Sequence, residues 1–324
     1  MKTLELIVPH YNEPFEDGQF FFDMLKLQRG CDFDDIRVTI IEDGGHWATD
    51  WVTAGLFKER YPEFEVRADR IEHAGVSAAR NHGIDIADAK WVMFCDFDDG
   101  FANVYALRNI QNALKTEDFD ILNGEFYTET KNVSGVLGDM TINKRRPENI
   151  YVHCRLFRLS WLREENLRFQ EHMNFSEDSV FNTQANFRVK TERNGDIQCE
   201  APLYVWRYRE QSATTSDDVY KKDIKMSIER NKILLPEYMK YVGRSEYEKW
   251  VAVMFYDFFY HPARTRDFDM LFHPLYMDYI SDFNRISSKR KEWIRKQIMK
   301  KYPFTKVDYE KEFSGWLKSV EKAR

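Results

Sequence analysis

Residues 91–99 read WVMFCDFDD, so an apolar run passes directly into a cluster of three aspartates. A short apolar run is typical of a strand that is buried on both faces of a parallel sheet. Carboxylates packed this closely repel one another unless a cation lies between them, and hard oxygen ligands suit Mg²⁺ or Mn²⁺. The stretch therefore predicts a buried strand ending at a metal–diphosphate site, although a solvated acidic turn also fits it.

Two earlier apolar runs end in polar residues in the same way. Leu4–Val8 stops at Pro9 and is followed by Tyr11-Asn12-Glu13, and Ile36–Ile41 is followed by Glu42-Asp43-Gly44. Segments with helical spacing separate the runs, and strands that alternate with helices indicate βαβ units and a parallel sheet. Ligands bind beyond the carboxyl ends of such strands, so we expect these polar residues to meet at one site.

The remaining elements follow from the spacing of the apolar residues. Further strands are predicted at 64–67 and 121–126, and helices at 19–29, 47–60, 77–89, 103–115, 218–241, 244–260, 273–284, 288–301 and 308–322. The chain therefore predicts an α/β fold with a mostly parallel sheet flanked by helices, followed by a helical module.

The distribution of charge also changes along the chain. The net charge is −6, but residues 220–324 hold 23 Lys and Arg against 15 Asp and Glu, which leaves 25 against 39 for residues 1–219. The hydrophobic content of 43% excludes a disordered or fibrous chain. An acidic body thus precedes a basic C-terminal part.

No segment predicts a targeting signal or a membrane span. The apolar run near the N-terminus is interrupted by Glu5 and ends at Pro9, and no stretch approaches the roughly 20 apolar residues that a spanning helix needs. The four cysteines lie far apart in the sequence, which predicts reduced thiols. We expect a cytoplasmic protein that contacts a membrane, if at all, peripherally at its inner face.

Five segments resemble glycosyltransferase family 2, whose members transfer sugars from nucleotide-sugars on a GT-A fold. They are IVPHYNE at 7–13, IEDGG at 41–45, GVSAARNHGI at 75–84, WVMFCDFDD at 91–99 and ED at 177–178. Their order and spacing match the family over about residues 4–216. This chain has Glu42-Asp43 where the family usually has Asp-Asp, and Gly45 where Ser is usual, but Asp43 is in place.

The resemblance implies a GT-A catalytic domain over residues 1–218. Its nucleotide-sugar half would cover about 1–100 and its acceptor half about 101–218. The basic helical module would then occupy 219–324, where the resemblance ends.

The resemblance also implies how the nucleotide base would be bound. Tyr11 would stack on the base, and Asp43 would accept its imide hydrogen. A carboxylate that accepts from a ring N–H is suited to uracil, so a UDP-sugar is the expected donor. Pro9 and Glu13 would belong to the same nucleotide-sugar site.

Sugar and phosphate contacts are implied for the next two segments. Arg80 and Asn81 would border the nucleotide or its phosphates, or else be a helix-surface arginine and a structural asparagine. Asp96 would hold the ribose. Asp98, with Asp99, would bind the Mn²⁺ or Mg²⁺ that neutralises charge on the departing diphosphate.

Catalysis by inversion is implied for the acceptor half. Asp178 would be the general base and Glu177 would orient the site, although both acids could simply begin a helix.

Arg155 could face the diphosphate or acceptor, or have no role there. Arg209 would reach the diphosphate, since an arginine fork suits phosphate geometry. The loop 212–218 would close over the donor and exclude water.

Three functions remain open at this stage. The first is a glycosyltransferase acting on a surface glycan, as in capsule, lipopolysaccharide or teichoic acid assembly. The second has the same chemistry but acts on a modified base in virus-type DNA. The third is a nucleotide-sugar-binding protein that has lost catalysis, against which the intact Asp98 and Asp178 argue.

A basic helix near the C-terminus bears on the choice of acceptor. Ser287–Lys301 carries seven basic residues, with Trp293, Ile294 and Ile298 at helical spacing. Such a helix can lie on an anionic membrane, contact nucleic acid phosphates or be a solvated face of a packed helix. The composition of the helix does not distinguish among these three interpretations.

Overall fold

The structure is a computed structural model that describes residues 1–115, 119–131, 137–144, 151–173, 176–189, 195–209, 219–245, 247–248, 250–251, 286–301, 311 and 315. The chain divides into two compact units, Met1–Ser212 and Ala213–Arg324.

The first unit alternates strands and helices along its N-terminal half. Its strands are β1 (Leu4–His10), β2 (Ile36–Asp43), β3 (Glu65–Ile71), β4 (Trp91–Phe94), β5 (Gly100–Phe101), β6 (Ile121–Lys131), β7 (Leu137–Asn143), β8 (Arg155–Arg158) and β9 (Asp196–Trp206). Its helices are α1 (Phe15–Lys26), α2 (Trp47–Thr53), α3 (Leu56–Arg60), α4 (Val76–Ile86), α5 (Ala106–Leu114), α6 (Leu159–Glu164) and α7 (Glu177–Arg188).

Within the described residues, the nine strands form one sheet. Its order is β3-β2-β1-β4-β8-β6-β9-β5, with β7 paired to β6. The first four strands of this order run parallel, whereas β8 is antiparallel to both of its neighbours. The predicted α/β class is confirmed, with the parallel half at the N-terminal end of the chain.

Strand β1 shows why the sheet is buried on both faces. Leu6 belongs to a core cluster with Phe21 and Phe22, and the next residue, Ile7, belongs to a second cluster with Ala79 on α4. Successive side chains of a strand point to opposite faces, so an uninterrupted apolar run fills two cores. Helices cover both faces and leave the strand ends to form the site.

Several boundaries differ from the predictions for identifiable reasons. The helix predicted over 47–60 is two helices, because Gly55 adopts φ +76°, which breaks the helical geometry. The helix predicted over 19–29 begins earlier, at Phe15 directly after Pro14, and ends at Lys26. The strands predicted at 64–67 and 121–126 are longer than expected, since β3 extends to Ile71 and β6 to Lys131.

Helices α8 (Val219–Tyr241) and α9 (Ser288–Lys301) lie in the second unit and confirm the helices predicted at those positions. Pro236 lies inside α8. The helix predicted over 273–284, and most of those over 244–260 and 308–322, lie outside the described residues, as does the loop 212–218. No described helix combines the length and the hydropathy that crossing a bilayer requires.

Candidate active site

Arg80 is the centre of a cluster of three carboxylates. Its Nη1 donates to Glu177 Oε1 at 2.9 Å and to Asp178 Oδ1 at 2.8 Å, and its Nη2 donates to Asp96 Oδ1 at 3.0 Å. The Arg80 side chain is only 4% exposed. One buried guanidinium therefore brings together the residue expected at the ribose and the two expected at the acceptor.

The charges of this cluster change the acidity of its members. Burial raises the pKa of Asp178 to about 7; Arg80 opposes the rise, while Glu177 and Asp96 add to it. Burial alone would lower the pKa of Arg80, but the charges of Asp178, Asp96 and Glu177 raise it well above the usual range. Arg80 stays charged, and Asp178 is poised to accept a proton near neutral pH.

Helix α7 delivers the two acids in its first turn. Glu177 and Asp178 follow Ser176, which adopts φ +64°. Carboxylates are favoured at this end of a helix by the helix dipole, and Asp178 Oδ2 also accepts from the backbone N–H of Val152 at 3.2 Å. The two acids both begin a helix and enter the cluster, so the structural and functional interpretations are compatible.

Asn81, the residue after Arg80 on α4, makes hydrogen bonds to the chain near residue 169. Its Nδ2 donates to the Phe169 carbonyl at 3.0 Å and to Glu171 at 2.9 Å, and its Oδ1 accepts from the Phe169 N–H at 2.9 Å. The Phe169 ring stacks on Phe181 at 4.0 Å between centroids and lies 5.2 Å from the Arg80 guanidinium carbon. These contacts match the structural alternative for Asn81.

Arg155 is buried among asparagine side chains. Its Nε donates to Asn123 at 2.8 Å, its Nη1 to Asn182 at 2.6 Å and its Nη2 to Asn186 at 2.8 Å. Asn182 and Asn186 belong to α7, so Arg155 links β6 and β8 to the helix that carries the two acids. These contacts suggest that Arg155 positions α7, and its predicted contact with a diphosphate stays a prediction.

The aspartates beyond β4 have different surroundings. Asp98 is 28% exposed and lies with Oδ2 3.1 Å from Arg209 Nη1. Burial and the charge of Asp96 raise its pKa, and Arg209 opposes the rise. Asp99 is 1% exposed, and its Oδ1 accepts from the Arg207 N–H at 2.8 Å. The structure thus brings Asp98 and Arg209 together at the surface and directs Asp99 into the protein.

A possible metal-ligand group lies beside Asp99. Potential ligand atoms of Asp96, Asp99 and His153 all lie within 4.8 Å of one another, and Asp99 Oδ2 has no hydrogen-bond partner among the described residues. Burial, Asp96 and Asp98 raise the pKa of Asp99 well above its usual range. Sequence reasoning did not include His153, which lies just before β8 and whose ring stacks on Tyr204 of β9, a residue distant in the sequence.

His73, which sequence reasoning missed, contacts both Tyr11 and Asp43. The His73 ring stacks on Tyr11, with centroids 4.2 Å apart, and His73 Nδ1 lies 2.9 Å from Asp43 Oδ2. Glu13 Oε2 accepts from the Tyr11 N–H at 2.6 Å. Pro9 lies in β1 opposite Ile41.

Glu42, the departure from the usual Asp-Asp pair, has a structural role. Its Oε1 accepts from the Ala48 N–H at 2.8 Å and its Oε2 from the Thr49 N–H at 2.8 Å. These are unsatisfied donors of the first turn of α2, so the longer glutamate side chain caps that helix.

The model of glycosyl transferase family 2 matches residues 5–174, which is more than half of the chain. The chain therefore belongs to glycosyl transferase family 2, as its motifs predict.

Curated relatives come from bacilli. The uncharacterized glycosyltransferase EpsJ of Bacillus subtilis is 29% identical over 230 residues, covering 65% of this chain and 62% of EpsJ. The poly(ribitol-phosphate) beta-glucosyltransferase of Bacillus spizizenii is 28% identical over 143 residues, covering 41% of this chain and 22% of that protein. The chain thus spans less than two thirds of the length of these relatives.

Solved structures share the fold. S. aureus TarS 1-349 in complex with UDP-GlcNAc superimposes with a TM-score of 0.60 at 16% identity, covering 95% of this chain and 92% of that one. The mannosyltransferase PcManGT of Pyrobaculum calidifontis, in complex with GDP-Man and Mn²⁺, gives 0.51 at 14% identity, covering 73% and 64%. The GT-A fold expected from the motifs is confirmed.

Proposed function

We propose that this chain is a metal-dependent glycosyltransferase that moves a sugar, with inversion, from a UDP-linked donor to a hydroxyl group of a surface glycan. The observation that carries the proposal is the bridge that Arg80 makes from Asp96 to Asp178, with 3.0 Å and 2.8 Å hydrogen bonds. It joins the expected donor and acceptor sides of one site.

The donor would lie along the strand ends. Tyr11 is 46% exposed and offers a ring face for a base. Asp96, which is partly exposed beside Arg80, would accept hydrogen bonds from the ribose. A TarS structure holds UDP and another holds UDP-GlcNAc, which supports a uridine nucleotide here.

A divalent cation fits the acidic segment beyond β4. Carboxylate oxygens are hard ligands that suit Mg²⁺ or Mn²⁺. The buried Oδ2 of Asp99, which has no hydrogen-bond partner within the described part of the chain, is the kind of atom that a cation satisfies. Asp98 is the more exposed of the two predicted ligands and is the one that could share the ion with a diphosphate. When bound, the ion would neutralise charge on the departing diphosphate.

Arg209 would assist at the same place. Its guanidinium is 42% exposed and contacts Asp98 and, at 3.4 Å, Asp17. A fork of N–H donors at the surface beside the acidic segment suits the planar geometry of a phosphate. We propose that it turns towards the diphosphate when a donor binds.

Asp178 would act as the general base. The acceptor oxygen forms a bond to the anomeric carbon while the bond from that carbon to the diphosphate oxygen breaks. The acceptor proton passes to Asp178, and the electron pair leaves with the nucleoside diphosphate. Attack from the side opposite the leaving group inverts the configuration. Glu177, held on Arg80, would orient Asp178 or the acceptor.

The acceptor is proposed from the relatives. One matching protein is a minor teichoic acid biosynthesis protein and another a poly(ribitol-phosphate) beta-glucosyltransferase, which supports a cell-surface polymer. The alternative of a nucleic acid acceptor rested on the basic residues of 287–301. Helix α9 forms there, but basic charge alone does not favour nucleic acid over a solvated surface.

Donor turnover tests the proposal. Purified protein is incubated with Mn²⁺ and a panel of UDP-, GDP-, CDP- and TDP-sugars, and release of the nucleoside diphosphate is measured with and without EDTA. We expect release from one or more UDP-sugars that EDTA abolishes. Release from none of the panel would contradict the proposal.

A further inference from the structure

A histidine stands between the buried carboxylate of Asp43 and the exposed ring of Tyr11. His73 Nδ1 lies 2.9 Å from Asp43 Oδ2 and 3.2 Å from the Asp43 carbonyl oxygen. The imidazole lies over the Tyr11 ring with an angle of 16° between the two planes. The three residues form one unit at the strand ends where a nucleotide base is proposed to bind.

Asp43 is already occupied by hydrogen bonds from the protein. Besides His73, it accepts from the Ala74 N–H at 2.6 Å and the Gly75 N–H at 2.8 Å. The Asp43 side chain is 4% exposed, whereas that of His73 is 56% exposed. A base arriving from solvent therefore meets His73 before it meets Asp43.

The surroundings of Nδ1 determine which nitrogen of His73 carries the proton. Both oxygens near Nδ1 belong to Asp43, a carboxylate and a carbonyl, and both only accept hydrogen bonds. Nδ1 is therefore assigned as the donor, which leaves Nε2 of the neutral ring as an acceptor. An acceptor on this edge can accept a hydrogen bond from the N3–H of uracil. It repels N3 of cytosine, which is itself an acceptor.

Stacking on Tyr11 fixes the plane of the imidazole, because the two rings are nearly parallel with centroids 4.2 Å apart. A base that meets Nε2 edge to edge lies in that same plane. Gly44 permits the close approach of His73: it adopts φ +86°, and a Cβ there would lie 2.7 Å from His73 Cβ and 3.1 Å from the His73 nitrogen.

We propose that His73 reads the donor base, with Nε2 accepting the imide N–H of uracil. Asp43 is then a positioning residue that fixes the tautomer and the ring, and Tyr11 supports the imidazole by stacking on it. The inference rests on the proposed use of a UDP-sugar and names the residue that selects it.

Calorimetric titration of the full chain with UDP and with CDP, in the presence of Mn²⁺, tests the proposal. The variant His73→Phe keeps a flat ring over Tyr11 and removes the acceptor nitrogen. We expect wild-type protein to prefer UDP and His73→Phe to lose about tenfold of that preference, the worth of one hydrogen bond. His82→Phe is the matched control, since His82 also pairs with a carboxylate, Asp69, at 2.9 Å.

The outcomes separate this inference from the proposed function. An unchanged preference in His73→Phe, or an equal loss in His82→Phe, overturns the role of His73 and leaves a UDP-sugar enzyme in place. A wild-type preference for CDP overturns base reading by Nε2. Failure of wild-type protein to bind either nucleotide overturns both proposals.

Discussion

Arg80 and Asp178, although 98 residues apart in the chain, share a hydrogen bond of 2.8 Å between Nη1 and Oδ1. It connects helix α4, which packs on β1, to the first turn of α7. Because Arg80 also binds Asp96, the residue expected at the ribose and the residue proposed to accept the proton are connected through one side chain.

Replacing Arg80 with Met leaves Asp96, Glu177 and Asp178 without their shared cation. Breaking a buried ion cluster in this way costs about 3–5 kcal/mol of unfolding free energy. Burial raises the pKa of Asp178, and Arg80 opposes the rise, so without Arg80 that pKa rises further above its unfolded value, folded protein binds more protons and stability falls as pH rises. Urea unfolding at about pH 6 and pH 8 should show the larger loss at pH 8.

The matched control for that variant is Arg168→Met. Arg168 pairs with Asp85 at 2.6 Å on the surface, and a surface pair contributes about 0–1 kcal/mol. A loss in Arg80→Met no greater than in this control, or equal at the two pH values, would contradict the role of Arg80.

The rate of transfer should depend on the ionisation of Asp178. The pKa of this residue is raised to about 7, and a general base acts only when deprotonated. We expect the rate at saturating donor to rise with pH and to level off above about 7, where Asp178 is ionised. The measurement is a pH profile of product formation, and a flat profile across that range would argue against Asp178.

Asp98→Asn should weaken binding of the donor only when the metal is present. The exposed carboxylate is the proposed link between ion and diphosphate, and its removal deprives the ion of a charged ligand. Titration with UDP in Mn²⁺ should show a loss of about tenfold or more, with little change in EDTA. Asp17→Asn is the control, because Asp17 contacts the same arginine, Arg209, at 3.4 Å; an equal loss there would refute the assignment.

Gly83→Ala should destabilise the packing of α4, the helix that contains Arg80, against β1. A Cβ at residue 83 would lie 2.4 Å from Ile7 Cγ2, so β1 and α4 would have to move apart. Overpacking of this kind costs about 1–3 kcal/mol, measurable by urea unfolding. Adding Ile7→Ala should recover part of the loss, and strictly additive effects of the two changes would contradict direct contact.

The parallel half of the fold was predictable because the apolar residues that form its strands are consecutive in the sequence. The run that leads into Asp96 is apolar at every position, and the buried strand Trp91–Phe94 follows. Gly55 broke a predicted helix because a single backbone conformation, φ +76°, overrides apolar spacing. Strands β7 to β9 were not predicted, since six of the seven residues of β7 are exposed, while β8 pairs with β4 and β6 and β9 pairs with β6, all of them distant in the sequence.

The acidic residues of the candidate site were predictable from the sequence, but the residues that contact them were not. Motif resemblance supplied Asp43, Asp96 and Asp178, but the contacts that define their chemistry cross long stretches of chain. Arg80 reaches Asp178 across 98 residues, and His73 reaches Asp43 across 30. Pairings of this length depend on the packing of the whole sheet, which local sequence does not specify.

The most direct test compares wild-type protein with Asp178→Asn in two measurements on the same UDP-sugar, namely binding and release of UDP. The asparagine keeps the size of the side chain and its contact with the Val152 N–H but accepts no proton. We predict unchanged binding and a fall in release of about 10²–10⁴-fold, with full release in the exposed control Asp139→Asn. Undiminished release by Asp178→Asn would contradict the account.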